Sequence, residues 1–583
     1  EAKGTVAREL DALGGVMCRA VDLTTHHIRM LNQTKGQEDL APTSQSDRVL
    51  NQREDLRQLD ERHALDQYQA TVESLLIQNG QVAGVVTSDG STFRARAVVL
   101  TAGTFLRGTI HLGPQTRIGA GRAGDPPSIR LAQQLEELGL QAERFKTGTP
   151  PRIDGRTVNF DRFERQDGQA DGHRFSHWEN SGGLPPLPCW IGSAGPEVKM
   201  IVEQNLESSA LYGGEISSLG PRYCPSIEDK VVKFPAAERH QVFLEPEGLE
   251  TTELYVNGLS TSLPPDVQRA FLQAVPGLES AHMTQPGYAI EYDYFSPDKL
   301  TSSLALPELP GLWLAGQVNG TTGYEEAAGQ GVVAGINAAL SILGRDAWVP
   351  ARDEAFLGVL VDDLVTRGVD EPYRLFTSRA EFRLILRQDN CLSRLGPTAE
   401  RLGLLTDTER SALEHHMEQL ERTRRWGSET RVRPGEMMGW LVSRGGSAIP
   451  ETQTLERLLR RPEVSLEALL AAEGPLAGLE FDRDARTTVE METKYAGYIE
   501  RDRERAESLK SREGHPLPPD AEYLEFDSVS REARQKLDRV RPTSLGQAAR
   551  IPGISPSDLQ NLLVELRKRS SADVARETSN REE

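Results

Sequence analysis

The residues best equipped for covalent chemistry in this sequence lie between Gly220 and Phe234, GPRYCPSIEDKVVKF. Arg222, Tyr223, Cys224, Glu228, Asp229 and Lys230 fall within nine positions of one another. A cysteine attacks as its thiolate, and neighbouring cations raise the thiolate fraction. Arg222 and Lys230 can therefore turn Cys224 into a nucleophile, with Asp229 and Lys230 available to move protons. The competing reading is packing, because an isolated cysteine commonly serves as a small buried apolar side chain. His240, a few residues on, reads as structural.

A second stretch must position that chemistry. Gly311 to Leu340, GLWLAGQVNGTTGYEEAAGQGVVAGINAAL, reads as a buried strand, a glycine turn and a helix. Leu312 to Ala315 fits a strand covered on both faces. Val332, Val333, Ile336 and Leu340 share one helical face, interrupted by Gly329, Gly331 and Gly335. Each mid-helix glycine costs about 1 kcal/mol relative to alanine, so backbone or ligand is expected to approach closely there. A glycine turn opening a helix also directs free N–H groups toward an anion. The alternative is an ordinary strand-to-helix turn.

A chain of 583 residues implies about two to four domains. Hydrophobic residues at 37% and charged residues at 26% suit a globular protein. There is no apolar run of transmembrane length and no signal peptide. Cys18, Cys189, Cys224 and Cys391 lie far apart with no CxxC pair, which points to a reducing cytoplasm and no structural metal. A net charge of -20 opposes nucleic-acid binding by the whole surface, although basic clusters gather in the C-terminal third.

VARELDALGG ends a helix at Gly14 and Gly15. Gln37 to Gln67 is polar and weakly patterned, as in a mobile loop or a join. Val72 to Ile77 and Val82 to Thr87 flank Asn79-Gly80, the signature of a hairpin. Ala97 to Thr101 is a buried strand running into Ala102-Gly103-Thr104. GAGRAGDPPS, Gly119 to Ser128, can surround an anion or be a plain loop, and Ile129 to Leu138 is an amphipathic helix. KTGTPPR, from Lys146, brings two cations to a glycine-proline loop. GYAIEYDY, from Gly287, reads as a strand that is structural first and substrate-facing second. Tyr373 to Asn390 sets Arg374, Arg379, Arg383 and Arg387 among aromatics, a pattern that grips phosphates and stacks bases or forms a solvated helix face. RTRRWGSETRVR, from Arg422, is a second basic cluster. Near the end, Ser544 and Gln547 form a capping box. Ser555-Pro556 opens a last helix with Leu559, Leu562, Leu563 and Leu566 in step, and residues 570–583 read as disordered.

GRAGDPPS, KTGTPPR, GPRYCPSIEDKV, AGQVNGTTGYEEAAGQG, EPYRLFTSRAEFRL and KYAGYI, in this order, resemble the glucose-inhibited division protein A (GidA, MnmG) family of tRNA-modifying flavoproteins. KYAGYI departs from that family's KYEGYI at Ala496. The resemblance implies an α/β fold: a discontinuous Rossmann-type FAD-binding domain of the glutathione-reductase kind (1–152 and 299–352), an inserted α/β NADH-binding domain (153–298) and an all-α C-terminal region for tRNA and partner (353–583). Such flavoproteins open with a strand and GxGxxG. The sequence holds no such fingerprint, so it is a piece, skips residues or has lost it.

The family adds a carboxymethylaminomethyl or aminomethyl group to C5 of a wobble uridine. It uses FAD, NADH, methylene-tetrahydrofolate as co-substrate and glycine or ammonium. It works in the cytoplasm as a homodimer joined to an MnmE/TrmE-type GTPase in a heterotetramer. Carried over residue by residue, the likeness assigns FAD contact to Val72, Arg122, Ser128 and Gln317, with Gly103, Gly121 and Gly316 as close-approach positions. It assigns the nicotinamide nucleotide to Gly220, Pro221, Arg222, Tyr223, Pro225, Ser226, Ile227, Glu228, Val231, Val232, Lys233 and Phe234. Cys224 becomes the nucleophile that adds to uracil C6, with Asp229 and Lys230 beside it. Two alternatives are a folate- and FAD-dependent tRNA uracil-5-methyltransferase relative and a non-catalytic scaffold that docks the GTPase.

Overall fold

The computed structural model describes residues 2–31, 41–169, 173–178, 183–221, 225–434, 438–443, 446–447, 449–470, 481–513 and 515–566. Arg222, Tyr223, Cys224 and the 570–583 tail therefore lie outside the described residues.

The first core is built on two short parallel strands, Val98–Leu100 and Leu312–Leu314, in register Val98 with Leu312. Leu312, Trp313 and Leu314 are buried, as the apolar run predicts. Helices Ala2–Ala12, Tyr324–Ile342, Phe356–Arg367 and Cys391–Leu402 pack around them. Fully burying a side chain such as Phe356, Leu357 or Leu360 contributes about 1.5–3 kcal/mol.

The glycines of helix Tyr324–Ile342 divide into two kinds. A Cβ on Gly329 would lie 2.6 Å from Leu357 Cδ2, so its absence lets helix Phe356–Arg367 close. Gly331 and Gly335 would meet nothing within 4 Å, and nothing in the structure explains them. The expected anion at this helix N-terminus is corrected as well. The first turn carries Glu325 and Glu326, and Glu326 Oε2 folds back to 1.7 Å from where a Gly323 Cβ would stand. The chain's own carboxylate fills that space.

Two antiparallel sheets adjoin this core. The hairpin Val72–Gln78/Gln81–Thr87 turns at Asn79 (φ 52°) and Gly80 (φ 73°), the left-handed pair that an Asn-Gly turn favours. A four-stranded sheet runs Thr116–Gly119, Thr109–Leu112, Tyr288–Phe295, Ala142–Thr149 in spatial order. Its strand Tyr288–Phe295 is the GYAIEYDY segment.

The insert is a six-stranded antiparallel sheet, ordered Glu164–Gln166, Cys189–Ala194, His240–Pro246, Glu253–Asn257, Arg152–Asp154, Met283–Gln285. Helices Pro196–Gln204, Ile227–Lys233 and Pro265–Gln273 share its own hydrophobic core with Val242, Leu244 and Val256.

From residue 41 on, the polar stretch read over 37–67 is more ordered than its composition implies. Ala41–Ser46 pairs with Thr25–Leu31. Helix Arg48–Asp60 follows, capped by Asp47, which accepts hydrogen bonds from the backbone N–H of Val49, Leu50 and Leu249. Local propensity is weak there, and a cap with a contact from two hundred residues away supplies the order.

Beyond residue 400 the described chain is mainly helical, with one short antiparallel pair, Arg431–Val432 with Gln453–Thr454, that the all-α expectation did not include, and small cores of its own. One joins Val432, Leu455, Leu458, Leu466 and Leu469, and another Tyr523, Phe526, Leu537, Ile551 and Leu562. The expected capping box at Ser544 is half formed: Ser544 Oγ accepts from Gln547 N, but Gln547 Oε1 accepts from Thr543. No helix among the described residues is long and apolar enough to cross a membrane.

Candidate functional site

The site is a polar face of the four-stranded sheet. Side chains alternate across a strand, so Glu291 and Asp293 share one face of Tyr288–Phe295, while Tyr292 and Tyr294 face the other and pack with Phe145. Glu291 lies opposite Lys146 in one neighbouring strand and Thr109 in the other. Its carboxylate accepts from Ser218 Oγ at 2.7 Å and lies 3.2 Å from His111 Nε2. Burial opposes its ionisation, but His111, Ser218 and Arg144 outweigh that and hold its pKa below the usual range.

Ser218 belongs to the segment leading into the candidate nucleophile. Leu219 O accepts from Lys146 N, and Gly220 lies under the Lys146 side chain, where a Cβ would stand 2.5 Å from Cε. Gly220 is small because Lys146 crosses it. Lys146 is 8% exposed, and its Nζ is 3.5 Å from Asp229 Oδ2.

Asp229 gathers the rest. It caps helix Ile227–Lys233 reciprocally with Ser226, accepts from Tyr212 OH at 3.2 Å and pairs with Lys233 at 2.8 Å. Burial works against the carboxylate, but Lys233 and Lys146 prevail and lower its pKa. Burial, then the Asp229 charge, pushes the Tyr212 hydroxyl up. A carboxylate, a phenol and two ammonium groups thus converge at Asp229, with Gly220 and Ser226 beside them.

The other expected residues of this segment divide by facing. Lys230 turns away from Asp229 and donates to Gly258 O at 2.7 Å. Glu228 is buried, with Oε1 accepting from Ser262 N, Ser262 Oγ and Ser209 Oγ. Ile227 and Val231 sit in the insert core, whereas Val232 and Phe234 are exposed.

The seven positions assigned to a flavin come from four distant stretches, and six of them meet. Ser128 Oγ donates to Val72 O at 3.1 Å. Ser128 N donates to Phe105 O, and Thr104 Oγ1 to Gly121 O. Gly103, at φ 57°, leaves room for Gln317 Oε1, which a Cβ would meet at 3.5 Å. Gly316, at φ 90°, precedes Gln317. Gly121 is glycine because a Cβ would lie 2.1 Å from the Phe105 ring. Arg122 points outward and pairs with Asp125. In the turn that follows, Asn319 Oδ1, Thr322 Oγ1 and Glu326 Oε2 are buried without a partner in the chain. Such orphaned groups fit a polar ligand.

The two sets adjoin: Gln317 Nε2 donates to Tyr292 OH at 3.4 Å, and Tyr292 is next in the chain to Glu291.

Comparison with known proteins identifies the whole. The family model for glucose inhibited division protein A matches residues 1–346. Two further models, described as the tRNA modifying enzyme MnmG/GidA C-terminal helical domain and C-terminal helical bundle, match residues 407–503 and 505–583. GidA of Aquifex aeolicus, solved in two crystal forms, is 40% and 41% identical, with a TM-score of 0.86 to each. The match covers 97% of this chain and 90% and 92% of those chains. The chain belongs to the GidA family of tRNA-modifying enzymes.

Within this GidA-family fold, sequence reasoning missed Tyr212, Ser218 and His111, which hold the candidate segment, and read Glu291 only within a strand that is structural first and substrate-facing second. Lys146 was visible only as one cation of a loop. Its signal is the strand itself, since period-2 alternation puts Lys146 opposite Glu291 once the strands are paired.

The basic stretch 373–390 is corrected. Arg374 pairs with Glu326, Arg379 with Asp363, and Arg387 with Asp389. Tyr373 and Phe382 are buried, and Arg383 is the exposed arginine. In the second cluster Arg424 pairs with Glu492 and Arg425 with Glu421, while Trp426 packs at the helical core. Of the cysteines, Cys18, Cys189 and Cys391 are free and buried. Burial pushes the Cys189 and Cys391 thiols up to about 12, which makes them poor nucleophiles.

Proposed function

We propose that this chain adds a carboxymethylaminomethyl or aminomethyl group to C5 of the wobble uridine of certain tRNAs, in the cytoplasm, as a homodimer working with an MnmE/TrmE-type GTPase. The observation that carries this reading is the junction at Tyr292 and Glu291. The turn with orphaned polar atoms lies on one side of that strand, and the Lys146–Asp229 cluster on the other.

Uracil C5 is a weak nucleophile. Addition of the Cys224 thiolate to C6 moves an electron pair toward C5, which then bonds to the methylene carbon that leaves a tetrahydrofolate nitrogen. Loss of the C5 proton expels the thiolate, and the amine of glycine or ammonium bonds to the new carbon as its second tetrahydrofolate nitrogen leaves, releasing tetrahydrofolate. Lys146 supports the thiolate and the charge developing on the uracil carbonyl. Asp229 orients Lys146 and Tyr212 and accepts a proton. Gln317, Gly103, Gly316, Ser128 and Val72 would hold FAD, and residues 220–234 would hold NADH; when bound, these groups would supply hydride chemistry.

The test has two parts. Purified protein mixed with FAD and passed through gel filtration should keep a visible flavin band that bleaches anaerobically with NADH. Nucleoside mass analysis of tRNA should show the C5 adduct with the wild type and none with Cys224→Ser. Full modification by Cys224→Ser removes the nucleophile assignment. A methyl adduct favours the uracil-methyltransferase relative, and absence of flavin favours the docking scaffold.

A further inference from the structure

The turn assigned to the flavin is held from outside by a loop whose basic residues sequence reading left open between phosphate contact and a solvated helix face. Tyr373 N donates to Gly320 O at 2.9 Å, and Thr322 N to Tyr373 O at 3.4 Å, so Tyr373 pairs with the turn like a short added strand. Gly320, at φ 79°, packs on the same loop, where a Cβ would stand 2.6 Å from Val369 Cγ2. The Tyr373 hydroxyl in turn donates to Asp363 Oδ2 at 3.0 Å. Asp363, 1% exposed, also accepts from Arg352 at 2.8 Å.

This chain of contacts ends on a separate module. Arg352 reaches Asp362 at 3.0 Å. Asp362 is also gripped in bidentate fashion by Arg550, Nε at 2.7 Å and Nη2 at 3.1 Å. Arg550 closes helix Leu545–Arg550 of the terminal bundle, far along the chain from the flavin residues. Bidentate guanidinium–carboxylate pairs are strong and directional. A cavity of about 500 Å³ opens at this junction, lined by Arg352, Asp362, Glu381, Gln547 and Arg550 among others. The contact between bundle and body is therefore held by paired charges and is incompletely packed.

We propose that Asp363 and Tyr373 are positioning residues for the flavin-side turn, and that Arg550, acting through Asp362 and Arg352, lets the terminal bundle set how firmly that turn is held. The proposal rests on the FAD reading of the turn. Docking the bundle orders Arg352, which fixes Asp363, which fixes Tyr373 and the Gly320–Thr322 backbone. Anything that draws the bundle away loosens the same series. Two sites joined by such a coupling shift each other's affinity reciprocally.

The experiment uses the full chain. FAD dissociation constants and visible flavin spectra are measured for the wild type, Tyr373→Phe, Arg550→Ala and Arg550→Lys, with thermal melting of each. Tyr373→Phe keeps the ring and loses only the hydroxyl. The expected result is FAD binding weakened about fivefold or more by Arg550→Ala and by Tyr373→Phe, with a displaced flavin band and partial recovery in Arg550→Lys. If both variants fold and bind FAD within about twofold of the wild type with unchanged spectra, the proposal is overturned. If the wild type itself binds no FAD, the reading of the turn fails instead, and the two failures are told apart by that first measurement.

Discussion

Asp229 and Asp363 anchor two regions that look alike in sequence. Residues 220–234 and 373–390 both mix cations, carboxylates and aromatics, yet the structure uses them in opposite ways. Around Asp363 the charges cancel inside the fold: Arg352, Arg379 and the Tyr373 hydroxyl all converge on one carboxylate, and the Arg379 guanidinium lies 4.7 Å over the Tyr373 ring. Around Asp229 the cations come from two elements, Lys146 from the sheet and Lys233 from the helix, and Lys233, Val232 and Phe234 remain open to solvent. Composition reveals that charges are present. The position of the countercharge decides whether they serve the fold or a ligand.

The largest effect expected from breaking this contrast is on Asp363. Asp363→Ala leaves Arg352 with only Asp362 and Glu381 and takes the carboxylate from Arg379 and the Tyr373 hydroxyl, and removing one partner of a buried pair costs about 3–5 kcal/mol. Urea unfolding should show that loss or no folded protein at all.

Glu228→Ala comes next. It strands Ser262 N and two hydroxyls in the insert core, at a cost of about 1–3 kcal/mol. A loss confined to insert unfolding would mark Glu228 as structural, in contrast to its neighbour.

Asp229→Asn unpairs buried Lys146 and should cost about 1–3 kcal/mol at pH 7, while cutting tRNA modification at least about a hundredfold. Its pH dependence has a definite sign. The folded pKa of Asp229 is depressed, so its stabilisation is present above the unfolded value, about 3.9, and is lost as pH falls through the folded value. The stability difference between wild type and Asp229→Asn should therefore shrink only in acid below about pH 4.

The smallest effect sharpens the comparison on the helix beside Asp363's own. Gly331→Ala meets open space and should stabilise by about 1 kcal/mol. Gly329→Ala meets Leu357 and should destabilise by about 1–3 kcal/mol, both read from thermal melting.

Much of the local structure was legible because its causes are local. Asn79-Gly80 dictates a left-handed turn, alternation marks Tyr288–Phe295, and Leu559 and Leu562 carry the helical period of the last helix. The GidA-like segments also pointed to the right family. What stayed hidden depends on partners far along the chain. Asp363 becomes a hub only when Arg352, Tyr373 and Arg379 fold onto it, and Asp362 only when Arg550 arrives from 188 residues away. Stretch 37–67 read as a loop because nothing near Asp47 announces that Leu249 will join its cap. Lys146 read as a loop cation because its meaning comes from crossing Gly220 and reaching Asp229.

The central claim is that the Asp229 cluster serves the reaction and the Asp363 cluster serves the fold. The most direct test is nucleoside mass analysis of tRNA incubated with folded Asp229→Asn protein, FAD, NADH, methylene-tetrahydrofolate, glycine and the GTPase. The account predicts a protein that folds yet leaves the wobble uridine without its C5 adduct. Wild-type levels of adduct would contradict it.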